Sequence, residues 1–123
     1  MAAPTITLRG QEYDLSTSLR VAYKIQGQHN HKSYSKVFEE VGDMKLEDQV
    51  NIIYAAFQVS NPGSDMDKKA FLEAVLDEYG LATIMELISE IIEGIMFRGM
   101  TEEKIALHKE KQEAAVKKMR AQS

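Results

Sequence analysis

Residues 51–99 carry three amphipathic helical patterns in succession, and this stretch narrows the available folds more than any other. Asn61-Pro62-Gly63 separates the first pattern from the second, since proline lacks a backbone donor and its neighbours favour turns. Tyr79-Gly80-Leu81 joins the second to the third. The third pattern, over 81–98, is the clearest. Leu81, Ile84, Met85, Ile88, Ile91, Ile92, Ile95 and Met96 fall in one broad stripe at about 100° per residue, with Leu87 at its edge. Glu86, Glu90 and Glu93 lie opposite. Each fully buried large side chain contributes about 1.5–3 kcal/mol, so such a helix is able to anchor a core. Ile84, Ile88, Ile91 and Ile95 are the residues expected to form it. Phe97 falls on the acidic side, against the pattern. Either it folds back at the helix end, the reading we favour, or it touches a partner.

The remaining segments supply elements to surround this stretch. A helix is expected over 45–60, with Leu46, Val50, Ile53 and Phe57 at helical spacing and Tyr54, Ala56 and Val59 beside them. Ser64 is expected to cap the next helix, with Asp67 as its capping-box partner. That helix places Phe71, Val75 and Tyr79 on one line and Leu72 and Leu76 beside it, and Gly80 ends it. Near the N-terminus, Thr5-Ile6-Thr7-Leu8 and Glu12-Tyr13-Asp14-Leu15 alternate polar and apolar around Arg9-Gly10-Gln11. This predicts a β-hairpin with Ile6, Leu8, Tyr13 and Leu15 facing inward. Two strands are marginal alone and must rest on helices.

Ser16 is expected to cap a helix running to about Gln26 and stopped by Gly27, with Leu15, Leu19, Ala22 and Tyr23 on a shared face. A polar loop over 28–31 leads to a short helix over 33–41, with Tyr34, Val37, Phe38 and Val41 on one side and Gly42 at its end. Gly99 breaks the chain again, and Thr101 caps a last segment with Glu102 and Glu103 in its first turn. Ile105, Leu107, Val116 and Met119 are too few there for a broad buried face. The expected architecture is mainly α. A helical domain over 1–99 begins with a small β-hairpin, and a charged helical or flexible tail occupies 100–123.

Composition excludes several classes. With no cysteine there is no disulfide, thiolate metal site or thiol nucleophile, which fits a reducing cytoplasm. A net charge of −4 without a basic face argues against nucleic-acid binding. The N-terminus lacks the basic region and apolar run of a secretory signal. Three glutamates interrupt the most apolar window, so no membrane span is expected.

Chemistry-bearing groups are sparse. His29 and His31 lie in a loop without a third ligand at a recognised spacing, and read as solvated. His108 sits in the charged tail. Ser64-Asp65-Met66-Asp67 resembles the start of a calcium loop, but Ala70 stands where the glycine is needed, and capping explains the run better. Glu86, Glu90 and Glu93 read as the wet side of a helix rather than an acid–base pair. No nucleotide-binding or nucleophile-elbow motif is present. No catalytic residue, cofactor or metal is expected. A binding or assembly protein is.

Methionines point the same way. Flexible thioethers suit adaptable contact surfaces. Met85 and Met96 read as core filling, whereas Met66 and Met100 lie near helix ends as exposed contacts. With Tyr79 and Phe97 at the margin of the apolar stripe, these make four candidate partner-binding residues: Tyr79, Phe97, Met100 and Met66.

The strings ITLRGQEYDL, STSLR, VNIIYAAF, AFLEAVLDEYG and IMELISEIIEG, in this order, resemble the tail assembly chaperones of long, non-contractile-tailed bacteriophages and related prophages. The resemblance spans residues 5–99 and rests on helix order and residue character. It implies a protein of the host bacterial cytoplasm that coats the tape measure protein and leaves before the virion is complete. It also implies a longer ribosomal-frameshift product whose extension recruits the major tail tube protein, and self-association along the tape measure rod. The alternatives are a structural head–tail or tail component, or a small helical regulator of a host protein.

Overall fold

The computed structural model describes residues 3–28 and 33–122. His29 and His31 lie outside the described residues, as do the side chains of Val116 and Met119. The chain forms strands β1 (Thr5–Leu8) and β2 (Gln11–Asp14), followed by helices α1 (Leu19–Gln28), α2 (Tyr34–Glu40), α3 (Leu46–Ser60), α4 (Lys68–Glu78), α5 (Leu81–Phe97) and α6 (Glu102–Gln122). A short 3-10 turn over Val41–Asp43 links α2 to α3. The expected mainly α architecture with an N-terminal hairpin is the one observed.

The hairpin follows from two residues. Arg9 and Gly10 both adopt positive φ, 52° and 80°, the mirror-image turn that matches strand twist. The strands pair antiparallel, with Leu8 opposite Gln11 and Ile6 opposite Tyr13. Ile6, Leu8 and Leu15 are buried, and Tyr13 packs half-buried against them. The outer edge of β1 is closed from α4. The Tyr79 hydroxyl donates to Thr7 O at 2.7 Å and accepts from Thr7 N at 3.0 Å. The Glu78 carboxylate accepts from Arg9 N at 3.0 Å. An exposed strand edge invites further pairing, and these side chains block that.

Helix α3 is the centre. Nine consecutive residues, Gln49 to Phe57, are buried, so the middle of the helix is enclosed on all sides. Phe57 joins three other rings: Tyr13 at 5.1 Å, Tyr54 at 6.0 Å and Phe71 at 4.9 Å between centroids. The cluster ties β2, α3 and α4 together, each such pair adding about 0.5–1.5 kcal/mol beyond burial. Ile84, Ile88, Ile91 and Ile95 bury the inner side of α5. Gly94 is where the loop before α1 presses on α5. A methyl group there would lie 2.6 Å from Thr17 Cβ, so only glycine fits.

Several local expectations are corrected. Ser16 does not cap α1, which begins at Leu19; its hydroxyl accepts from Ser18 N within the preceding loop. Gly27 lies inside the last turn of α1, because its φ is not positive and nothing forces a break there. The inward face of α1 is Val21, Ala22 and Ile25, whereas Leu19 and Tyr23 are 70% and 79% exposed. Asp67, not Ser64, is the cap of α4. Its carboxylate accepts from Ala70 N at 2.8 Å, while Ser64 Oγ accepts from Met66 N inside the loop. Gly80 opens α5 rather than closing α4, which ends at Glu78. Leu81 and Met96 are 67% and 44% exposed, so the buried seam of α5 is narrower than its apolar stripe.

Candidate functional site

The four candidate contact residues fall in three places. Tyr79 leaves α4 in extended conformation, and that backbone lowers its ring onto the hairpin. Its hydroxyl is committed to Thr7. Met66 sits in the α3–α4 loop, half-buried, at the rim of a cleft between α1 and α3. Its carbonyl receives the Tyr54 hydroxyl at 3.5 Å. Burial, and secondarily the Asp67 carboxylate, raise the Tyr54 phenol above its ordinary value.

Phe97 and Met100 come together at the α5–α6 junction. Gly99, at φ +82°, ends α5 in the left-handed conformation that glycine favours, and Met100 N donates back to Phe97 O at 3.0 Å. Thr101 then caps α6, its hydroxyl accepting from Lys104 N at 3.2 Å, as the sequence suggests. The turn sends α6 across the acidic side of α5. Phe97 is 5% exposed, yet it stands outside the main core cluster. His108 meets its ring edge-on at 5.4 Å, and Lys109 Nζ lies 5.6 Å from the ring centre. Lys109 also pairs with Glu93 at 3.6 Å. The ring is buried at the end of α5 and not offered to a partner, in line with the favoured reading. It stays on the last turn of α5 and α6 comes over it. Phe97 is thus covered by the chain itself, and Met100 is 36% exposed beside it.

Apart from Ile105 and Lys109, which are partly buried, α6 is exposed at its described side chains up to Lys118. Its apolar residue Leu107 is 52% exposed. A longer apolar surface lies on α5. Leu81, Met85, Ile92 and Met96 occupy one flank of that helix, next to the buried seam. The outer two are open and the middle two are half-buried. Sequence periodicity placed all four in the apolar stripe and read Met85 and Met96 as core filling, whereas Met96 is open. The stripe's width alone does not say how much of it neighbouring helices cover.

The acidic side of α5 borders a shallow depression of about 840 Å³ beside the N-terminal residues, and Glu86, Glu90 and Glu93 line it. These carboxylates follow one another along the side of a helix and do not converge on an enclosed cavity. Among the described residues, no three His, Asp or Glu side chains group as metal ligands. No helix among them is long and apolar enough to cross a membrane. Neither known protein families, nor curated proteins, nor solved structures match this chain.

Proposed function

We propose that this chain is a phage tail assembly chaperone whose client is the tape measure protein. The open flank of α5 carries the reading. Four large apolar side chains, Leu81, Met85, Ile92 and Met96, run along a helix whose inner seam is already satisfied by the core. A long amphipathic helix of a tape measure protein presents a matching apolar stripe and aggregates while bare. Laying that stripe beside the α5 flank removes both surfaces from water, at about 25 cal/mol per Å² of apolar area. Many weak contacts along one rod then add through high effective concentration. The domain order also resembles that of such chaperones. The charged α6 is the natural bridge to a frameshifted extension that recruits the major tail tube protein. The chain acts in the host cytoplasm, self-associates along the rod, and is shed before the particle matures.

A structural tail component would persist where a chaperone departs. Mass spectrometry of assembly intermediates and of purified virions separates the two. The chain is expected with the tape measure protein in intermediates and absent from virions. Stoichiometric recovery from mature particles would overturn the chaperone reading.

A further inference from the structure

The cleft between α1 and α3 is a second surface, and it has a charge signature. It measures about 530 Å³. Tyr54, Phe57 and Val59 of α3 and Pro62 form its apolar part. Arg20, Tyr23 and Lys24 rise from α1 at positions i, i+3 and i+4, so all three share one helix face. Among the described residues, the only charged side chains lining the cleft are Arg20 and Lys24, in a chain where acids outnumber bases by 19 to 15. Asp67 acts on Tyr54 from the α4 side while its carboxylate accepts from Ala70 N as a helix cap, and it does not line the cleft. Tyr23 is 79% exposed and Leu19, one turn before it, is 70% exposed. Two large apolar side chains flanked by two cations make an amphipathic ridge facing outward.

We infer that this cleft receives an acidic-flanked apolar helix of the client, with a bulky apolar side chain entering beside Tyr23 and carboxylates meeting Arg20 and Lys24. The inference rests on the chaperone reading for the client's identity, but not on the α5 flank. Charge complementarity chooses the occupant. Cations around an apolar floor favour a helix whose apolar stripe is bordered by Glu or Asp and disfavour one bordered by Lys. The cleft therefore adds selection among client segments to the unselective apolar contact of α5.

Fluorescence anisotropy with two labelled amphipathic peptides tests this, one built of Leu and Glu around a central Phe and the other its Leu and Lys counterpart. The Leu/Glu peptide is expected to bind about ten-fold more tightly at low salt, with the preference fading as salt rises. Arg20→Glu with Lys24→Glu should remove that preference, and Tyr23→Ala should weaken binding of both peptides. All three side chains are exposed, so circular dichroism should stay unchanged. Equal binding of the two peptides, or indifference to the double change, would overturn the assignment. So would tighter binding of a single-stranded oligonucleotide at the same residues, or a self-associated species that the double change disperses. None of these four outcomes touches the α5 flank, so the chaperone reading would stand. Tight, charge-selective peptide binding by a chain that persists in virions would instead keep the cleft and remove the chaperone.

Discussion

A single methyl group at Gly94 would meet Thr17 Cβ at 2.6 Å, and this gives the sharpest test at the level of one residue. In an unconstrained helix, replacing glycine by alanine gains about 1 kcal/mol. Here Gly94→Ala is expected to lose about 1–3 kcal/mol in urea unfolding, and Thr17→Gly in the same chain should restore most of it. A gain in stability would mean the loop before α1 does not press on α5. The sequence shows Gly94 only as an isolated glycine, since a contact with a distant loop leaves no local pattern. Capping was half legible for the same kind of reason. Ser64 and Asp67 both suit a cap, and only the position at which the loop turns into helix decides between them. Asp67→Ala should cost about 1 kcal/mol in thermal unfolding, and Ser64→Ala distinctly less. Tyr54 adds a pH signature. Its folded pKa is raised above 10.0, so its stabilisation is fully present below that pH and lost as pH climbs through the folded value. The wild-type chain should therefore lose more stability above pH 10 than Tyr54→Phe does, by comparison of urea midpoints; parallel curves would contradict the burial of the phenol.

Among the helices, legibility followed the surroundings. The α5 seam was readable because four isoleucines repeat at helical spacing and all four are buried. The α1 face was readable only in part, since Leu15 and Ala22 of the expected face are buried. Leu19 and Tyr23 stay exposed, while Val21, Ala22 and Ile25 turn inward. Apolar residues occur around much of this short helix, so its own pattern does not say which of them the neighbouring helices cover. Phe97 looked out of place because α5 was read in isolation; α6, with its weak apolar pattern, supplies the cover. Buried apart from the main core, Phe97 should fix α6 more than it fixes the domain. In Phe97→Ala, hydrogen exchange is expected to speed up in the first half of α6 well before it does in α3. Equal loss of protection in both helices would place Phe97 in the common core. The Lys109–Glu93 pair is about half exposed at each end and should contribute little by itself.

For the molecule as a whole, the hairpin and the helix order could be read from alternation, turn residues and periodicity. The central place of α3 could not, because burial on every side reflects what surrounds a helix rather than its own pattern. The candidate contacts divide similarly. Composition suggested exposed methionines, but only packing reveals that the α5 flank is left open at Leu81 and Met96. Tyr79 turns out to close a strand edge and Phe97 to hold α6. If that flank holds the client, charge placed on it must release the client without unfolding the domain. The direct measurement is size-exclusion chromatography of the chain co-expressed with the tape measure protein of the same genome, beside a Leu81→Asp, Met96→Asp variant. The native chain should keep the tape measure protein soluble and elute with it, while the variant, unchanged in circular dichroism, should elute alone. Co-elution undiminished by the two aspartates, or a native chain that elutes alone, would contradict the assignment.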